Sequence, residues 1–464
     1  MVYEVLKKFV RASTITEKAA LNIYELLPLS FRYKVLYGPA FQRWLVFLEE
    51  SESWDKDRWS SYQFEQTKAL LIHAMKHVPY YRKLFRRLGF RPEKIQGPDD
   101  LQKLPYLSKD DIRDNPTEFL DERIPLKSLV RIPTGGSSGI PLTIYRNREN
   151  EAAFLAFRTS ILGRIGYHPK GREVVVWVDA KLGGKTVPFI RYGKKLILSN
   201  GFMAGKWIMR YLDMIREFRP EYILGYPSAL AVLAAFTEHN HLQPFDGIKA
   251  VITYSENLYD WQRVLLMKCF YSRVLSMYAM TERAAIGGGC EFSNSLHFHP
   301  LYGTIEFRDW QSGNKEIVAT GFTNYEMPLI RFRTGDLVQD YSTHCDACGR
   351  YHTTVGMIEG RTHSYLVGKN NELIPGVTSW LGTFPNVLGY QFVQQKQGIA
   401  YLNIVPSERF SESDRSFILD ELERIFSLTK DAIEIKLDFT DHLAKTPSGK
   451  INMVEQKLDI YRSL

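Results

Sequence analysis

The sequence predicts an α/β protein with a large N-terminal domain and a small α+β domain at its C-terminus. From about residue 126 to 340, apolar runs rich in β-branched residues, such as EVVVWV and KAVITY, alternate with segments of helical period. This alternation is typical of buried strands connected by helices. Beyond Gly360 the pattern becomes strand, strand, helix and strand, which is long enough for a separate small domain.

The large domain is predicted to have a mainly helical first part, residues 1–125, followed by a core, residues 126–360; the small domain is residues 361–464. The segment SSYQFEQTKALLIHAMKHV repeats apolar residues at three- and four-residue spacing and has to end before Pro79. In LPYLSKDDIRDN, Ser108 is placed to cap a short helix that has acidic residues in its first turn. The segments GTIEF and KEIVAT indicate a more antiparallel section.

Composition and charge favour an enzyme over a nucleic-acid-binding protein. The 464 residues are 44% hydrophobic and 24% charged, and the net charge of +8 is spread along the chain. No recognisable nucleic-acid-binding module accompanies this charge, whereas a basic surface suits anionic substrates such as ATP. The N-terminus lacks the apolar core of a signal peptide, and the most apolar run, Tyr222–Phe236, is too short to span a bilayer. We therefore predict a cytoplasmic protein without a transmembrane segment.

Cysteine spacing points to a metal site. The four cysteines are Cys269, Cys290, Cys345 and Cys348, too few for a disulfide framework in a chain of this length. The pair Cys345-x-x-Cys348, with the distant Cys290 and His297, suits a tetrahedral zinc ion. The alternative interpretations are an incidental pair or a redox dithiol. His299 is an alternative to His297, and weaker candidates are His344 and His352.

A loop rich in glycine and hydroxyl residues, TGGSSG (Thr134–Gly139), precedes the strand pattern IPLTIYR. Glycines allow backbone N–H groups to turn toward an anion, and serine or threonine hydroxyls add further donors. The loop lacks the spacing of a Walker motif. By itself such a loop is more often a flexible linker than a phosphate-binding loop, and both interpretations stay open at this point.

Four further motifs are ambiguous when each is taken alone. Thr281 and Glu282, in SMYAMTERAAIGGGC, either start a helix or place a carboxylate on Mg²⁺ bound to a phosphate. In PLIRFRTGDLV, Asp336 either accepts hydrogen bonds from a ribose diol or lies on a surface turn. Arg361 lies at the predicted domain junction, and Lys450 lies on a turn in HLAKTPSGKINM.

Taken in order, these motifs resemble the adenylate-forming superfamily, which includes acyl- and aryl-CoA synthetases and the adenylation domains of peptide synthetases. The chain is similar to the branch of phenylacetate–coenzyme A ligases and their relatives from capsular polysaccharide gene clusters. Three more stretches carry this resemblance: HVPYYRKLFRRLGF with LQKLPYLSKDDIR, GYPSAL (Gly225–Leu230) and YSENL (Tyr254–Leu258). The resemblance covers nearly the whole chain.

The resemblance implies a ligase that joins a carboxylate to AMP from ATP, with Mg²⁺, and releases pyrophosphate. The residues implied to bind the phosphates are Thr134, Gly136, Ser137, Ser138 and Gly139. Those implied to frame the adenine or the acyl pocket are Ser255, Glu256 and Tyr278. Asp336 would bind the ribose hydroxyls, with Arg361 orienting the same region.

The remaining implied roles concern the reacting groups. Thr281 and Glu282 would serve the α-phosphate and Mg²⁺, and Lys450 would reach from the small, mobile domain to the α-phosphate and the carboxylate. Attack of one anion on another requires cations and N–H donors to offset the developing charge. A lysine on a mobile domain can also leave before the second step. A comparable Cys/His set in the branch favours structural zinc.

The acceptor of the acyl group has two alternatives. Coenzyme A would give a thioester, and an amine would give an amide with a uronic or amino acid in surface-polysaccharide assembly. Departures from the family pattern, such as Leu142 in place of lysine and Thr362-His363-Ser364 at the hinge, bear on this second step. Two other hypotheses are an inactive relative acting as a scaffold and a peripheral-membrane protein that binds glycans. A homodimer is left open.

Overall fold

The computed structural model describes residues 38–133, 142–177, 180–182, 185–202, 206–310, 313–361, 366–369, 373–374, 384–426, 432–445 and 451–458. These residues form two compact units, each built from separate stretches of the chain. The first unit contains the described residues up to 170 and those of 277–358; the second contains 171–276 and the residues from 359 onward. The predicted α/β class is confirmed, while the domain boundaries at 125 and 360 stay predictions.

In chain order the α-helices are α1 (Ala40–Ser51), α2 (Lys56–His77), α3 (Pro79–Leu88), α4 (Lys109–Asp114), α5 (Arg148–Gly163), α6 (Lys206–Phe218), α7 (Pro227–His239), α8 (Asp260–Phe270) and α9 (Glu412–Phe426). The first twelve strands are β1 (Val130–Pro133), β2 (Thr143–Arg146), β3 (Glu173–Trp177), β4 (Ala180–Leu182), β5 (Lys185–Val187), β6 (Phe189–Tyr192), β7 (Lys195–Ser199), β8 (Tyr222–Gly225), β9 (Ala250–Tyr254), β10 (Arg273–Ala279), β11 (Ile286–Gly289) and β12 (Leu296–Phe298). They are followed by β13 (Gly303–Asp309), β14 (Lys315–Gly321), β15 (Phe332–Val338), β16 (Tyr341–Ser342), β17 (Thr354–Val355), β18 (Ile358–Arg361), β19 (Leu366–Val367), β20 (Leu373–Ile374), β21 (Val387–Lys396), β22 (Ile399–Pro406), β23 (Glu434–Phe439) and β24 (Val454–Gln456).

The helical start of the first unit follows its sequence signals. Helix α2 ends at His77, Val78 is extended, and Pro79 begins α3 because its restricted φ suits the first position of a helix. The Ser108 hydroxyl accepts a hydrogen bond from the Asp111 N–H (3.2 Å), and the Asp111 carboxylate accepts one from the Ser108 N–H (2.8 Å). Both the helix end and the cap were predicted, and both are confirmed.

The strands of the first unit are antiparallel. Strand β11 pairs with β10 and β12, and β17 pairs with β12 and β16. Strands β13, β14 and β15 form an antiparallel meander, which confirms the section predicted from GTIEF and KEIVAT. The core between these strands and helices α2 and α3 contains buried aromatic rings such as Phe85, Phe119 and Phe332.

The second unit contains a parallel sheet whose carboxyl ends matter for the site. Strands β7, β3, β8 and β9 are parallel neighbours in that order, and β6 pairs antiparallel with β7. All four residues of β8 are buried, as expected for a strand covered on both faces. Ligands of open α/β sheets bind beyond the carboxyl ends of the strands.

The C-terminal part of the second unit is the predicted β-β-α-β arrangement with one more strand, in the order β23–β22–β21–β24. Strands β21 and β22 are antiparallel, whereas β24 joins β21 and β23 joins β22 in parallel. Helix α9 packs Ile418, Leu422 and Phe426 into a core with Phe392 and Leu402. Among the described helices, none combines the length and the apolar character that crossing a membrane requires.

Candidate functional site

Two motif residues of the first unit meet in its interior. The Tyr278 hydroxyl donates a 2.7 Å hydrogen bond to Oδ2 of Asp336. Tyr278 is buried near the end of β10, and Asp336, on β15, is 9% exposed. The bond orients the carboxylate, and a carboxylate oxygen retains further lone pairs for a ligand hydroxyl.

Asp336 lies within a strand, not on the surface turn that was its alternative. Gly335 has a φ of +79°, a value that favours glycine, and the pairing of β14 with β15 shifts register between Glu316 and Val318. The Thr334 hydroxyl accepts a hydrogen bond from the Asp336 N–H at 3.0 Å. An irregular ladder of this kind can redirect a side chain, and here it fixes the backbone of Asp336.

Thr281 and Glu282 lie in a turn between β10 and β11, not at a helix start. Glu282 is 6% exposed, and Lys109 at the start of α4 approaches its carboxylate at 3.7 Å. Arg283 follows with a φ of 58°, a backbone conformation that is uncommon outside glycine and that often marks functional sites.

Arg146 connects this turn to the strand that follows the predicted phosphate loop. It ends β2, and its guanidinium contacts the Thr281 carbonyl at 3.4 Å and the Glu151 carboxylate at 3.0 Å. Arg283 shares the same carboxylate at 3.4 Å. Burial and the neighbouring Arg283 lower the pKa of Arg146 to about 10, so it remains a cation at neutral pH. Sequence reasoning missed this contact because no local pattern indicates it.

Glu256 anchors backbone groups at the carboxyl edge of the parallel sheet in the second unit. Its Oε2 accepts a hydrogen bond from the Ser228 N–H (3.1 Å) at the start of α7, and its Oε1 accepts one from the Ile451 N–H (3.0 Å). The preceding Ser255 is exposed and has a φ of 69°. The resemblance predicted contacts to adenine or to the acyl group here; the structure adds an anchoring contact to the C-terminal segment.

Three aromatic side chains lie at the same edge of this sheet. Trp177, at the end of β3, is 42% exposed and stacks on Tyr226 with ring centroids 5.5 Å apart. It also packs against Tyr254, at the end of β9, with centroids 5.4 Å apart. Together these three residues form an apolar wall beyond the carboxyl ends of β3, β8 and β9.

Cys290, His297, Cys345 and Cys348 come together in the first unit, with one ligand atom from each lying within 4.8 Å of all the others. The Cys290 and Cys345 sulfurs are 4.0 Å apart, and the Cys348 sulfur is 3.9 Å from Nε2 of His297. Ligand atoms around a tetrahedral zinc ion with bonds of about 2.3 Å lie about 3.8 Å apart. The arrangement therefore fits zinc, with His297 as the nitrogen ligand.

The pKa shifts of His297 and Cys290 also suit metal ligands. Burial, with Arg164 and Arg350 nearby, lowers the pKa of His297 to about 4, which leaves the imidazole neutral. Burial alone would raise the pKa of Cys290, but hydrogen bonds from the Phe292 and Ser293 N–H groups lower it.

A Cβ on Gly287 would lie 2.6 Å from the His297 carbonyl, so the glycine run before Cys290 permits the close approach of β12.

Several predicted residues lie outside the described part of the chain. These are Thr134, Gly136, Ser137, Ser138, Gly139 and Lys450. Arg361 is the last residue of β18. Cys269, predicted to be a core residue, is 5% exposed on α8.

The chain has relatives of known name that match it along most of its length. No family model matches it. It is 25% identical over 452 residues to phenylacetate-coenzyme A ligase of Thermus thermophilus, covering 88% of this chain and 99% of that protein. It is 23% identical over 393 residues to protein CapK of Staphylococcus aureus, covering 82% of this chain and 85% of that protein. The predicted resemblance to this branch is thus confirmed.

Solved structures support the same fold. The crystal structure of 2-hydroxyisobutyryl-CoA ligase in the postadenylation state, in complex with R3-HIB-AMP, superposes with a TM-score of 0.68 at 17% identity. The similarity covers 87% of this chain and 90% of that one. The described residues therefore share the fold of that ligase.

Proposed function

We propose that this protein is an ATP-dependent, AMP-forming acid ligase that makes an acyl-adenylate and transfers the acyl group to coenzyme A. The observation that carries the proposal is the contact between Tyr278 and Asp336, two motif residues 58 positions apart. A sequence relative named for this chemistry, matched along 99% of its length, supports it further.

The roles follow from the chemistry of the reaction. Asp336 would accept hydrogen bonds from the ribose hydroxyls, and Glu282 would hold Mg²⁺ at the phosphates, since Mg²⁺ favours one or two carboxylates plus phosphate oxygens. Thr281 and Lys450 would offset the charge that develops at the α-phosphate. The predicted loop Thr134–Gly139 would supply N–H and hydroxyl donors to the other phosphates, and Arg361 would orient the ribose region.

The apolar wall of Trp177, Tyr226 and Tyr254 supports an acid with an aromatic or otherwise flat apolar portion. Aromatic side chains are stabilised by offset-stacked or edge-to-face contacts with another ring, such as that of an aromatic acid. Ser255 and Glu256 would border the adenine or acyl pocket at the same strand ends. ATP and coenzyme A as co-substrates agree with the predicted cytoplasmic location, and a homodimer stays a prediction.

A structural zinc ion is part of the proposal. Cys290, His297, Cys345 and Cys348 would hold it, with a spacing suited to a closed tetrahedral site. The ion would join the segment after Glu282 to the segment after Asp336. Since four protein ligands fill a tetrahedral site, the role is structural and no reaction step involves the metal.

Amide formation is the second candidate, which the family resemblance leaves open. An amine of a sugar or amino acid would then replace coenzyme A, and the acid would be a uronic or amino acid. Both candidates share the adenylate and differ only in the acceptor.

The deciding experiment measures pyrophosphate release with aryl acids, fatty acids, amino acids and uronic acids, each with and without coenzyme A. We expect release with at least one aryl acid and a thioester detectable by mass spectrometry. An amide formed only with an added amine would select the second candidate. Absence of release with every acid would contradict the proposal and favour an inactive scaffold.

A further inference from the structure

Lys445 belongs to none of the motifs above, and it contacts the sheet of the second unit. Its Nζ donates hydrogen bonds to the Asn200 carbonyl (3.1 Å) and to Asn200 Oδ1 (2.5 Å), across 245 positions of sequence. Asn200 follows β7 directly and is 3% exposed. The lysine therefore attaches the C-terminal segment to the carboxyl end of one parallel strand.

A second contact attaches the same segment six residues later. The Ile451 N–H donates to Glu256 Oε1 at 3.0 Å, beyond the carboxyl end of β9. Lys445 and Ile451 are thus held at two strand ends of one sheet edge. Lys450, which lies outside the described residues, directly precedes Ile451 in sequence.

Gln391 holds the two sides of this segment to each other. It is 1% exposed on β21, and its Oε1 accepts a hydrogen bond from the Ala444 N–H at 3.0 Å. Its Nε2 donates to the Ala444 carbonyl (3.1 Å) and to the Asn452 carbonyl (2.7 Å). One buried amide therefore binds the backbone at Ala444, next to Lys445, and at Asn452, next to Ile451.

We propose that Lys445 is a positioning residue for adenylate formation, acting through Asn200 to hold the chain at Lys445 and at Ile451 against the carboxyl edge of the sheet. The inference rests on the proposed function, because it assigns Lys445 to the step in which Lys450 would act. Lys445 itself touches no reacting atom in this role. Transfer of the acyl group from a finished adenylate does not require the contact, since the proposed mechanism needs Lys450 only before that point.

The test separates the two half-reactions in the full-length protein. Lys445→Met and Asn200→Ala are first assayed for pyrophosphate release with the acid that the wild-type protein activates fastest. They are then assayed for thioester formation from supplied acyl-adenylate and coenzyme A. The matched control is Lys436→Met, because Lys436 is an exposed lysine on β23 that pairs only loosely with Glu434 at 3.5 Å. Lys445→Arg keeps the positive charge and tests whether that charge is enough to restore pyrophosphate release.

We expect Lys445→Met to slow pyrophosphate release about tenfold, the scale of one charge-assisted hydrogen bond, while thioester formation stays within about twofold. The variant that combines Lys445→Met with Asn200→Ala should be no slower than Lys445→Met alone. Both substitutions remove the same contact, so their effects on the rate should not add. Equal losses in both half-reactions, additive effects, or a loss matched by Lys436→Met would overturn the inference. A wild-type protein inactive with every acid would instead contradict the proposed function.

Discussion

The phenolic oxygen of Tyr278 lies 2.7 Å from the carboxylate of Asp336. The two residues belong to separate sequence motifs and lie on different strands, β10 and β15. The hydroxyl is a donor toward a charged acceptor inside the first unit, where hydrogen bonds are stronger than in water. It therefore holds in place the group proposed to bind the ribose of ATP.

Replacing Tyr278 by phenylalanine removes this hydrogen bond while keeping the ring that packs edge-on against Phe298 at 5.3 Å. Losing a hydrogen bond to a charged group, worth about 1.5 to 3 kcal/mol, should raise the KM for ATP about tenfold. Steady-state kinetics at saturating acid measure the change. Tyr271→Phe is the control, because Tyr271 is 71% exposed. An unchanged KM for ATP in Tyr278→Phe would count against the ribose role of Asp336.

Lys450→Ala should abolish adenylate formation while leaving the protein folded. Removing one donor that stabilises developing charge costs about 100-fold or more in rate, and alanine at a position predicted to be a turn should introduce no packing defect. ATP–pyrophosphate exchange measures the step, and circular dichroism with thermal unfolding checks the fold. The matched substitution Lys457→Ala alters a half-exposed lysine beside Glu455 and should leave exchange unchanged. Exchange at the wild-type rate in Lys450→Ala contradicts the assignment.

Cys345→Ser should lower zinc content and thermal stability together. Cys345 is 5% exposed and lies 4.0 Å from the Cys290 sulfur, so its loss removes one of four ligands in the proposed closed site. We expect zinc to fall from about one ion per chain toward zero and the unfolding midpoint to fall by about 5 °C or more. Cys269→Ala, a core cysteine away from the cluster, should retain zinc. A stable wild-type protein without zinc would refute the metal site.

Local patterns in the sequence were enough to predict helices and strands, but they could not predict the contacts between residues that are distant in sequence. The end of α2 before Pro79, the Ser108 cap and the buried strands of the α/β section depend on nearby residues, and each was predicted. The contact of Arg146 with Thr281 joins residues 135 positions apart, so no periodicity reveals it. Asp336 looked equally like a turn residue, because the irregular ladder that places Gly335 and Asp336 inside a strand depends on pairing with β14.

The cluster of three cysteines and His297 could be predicted for a different reason. Cys345 and Cys348 are close in sequence, but Cys290 and His297 were joined to them by a family resemblance and by the chemistry of zinc ligands. The structure favours His297 over His299, since it is His297 that lies with the three cysteines. The anchoring roles of Glu256 and Gln391 had no such signal, because buried amides and carboxylates that bind backbone groups leave no motif.

Glu326 gives a prediction for the pH dependence of stability. Burial, together with the negative charges of Glu149 and Asp121, raises the pKa of Glu326 despite the hydrogen bond from the Asn150 side chain. Its Oε2 is buried and makes no hydrogen bond within the described residues. Because the folded-state pKa is above that of the unfolded chain, the stabilising contribution is present at low pH and is lost as pH rises through the folded pKa.

Glu326→Gln removes this titration with little change of shape, so the variant should unfold at higher denaturant concentration than the wild type at pH 8. At pH 5 more of the wild-type carboxyl is protonated in the folded protein than at pH 8, because its pKa is raised, and the difference should be smaller. Urea unfolding at both pH values measures the free energy of unfolding, with Glu238→Gln as the control because Glu238 has an exposed side chain. A gain that is equal at both pH values, or that also occurs in Glu238→Gln, would show that ionisation of Glu326 carries no cost in the folded protein.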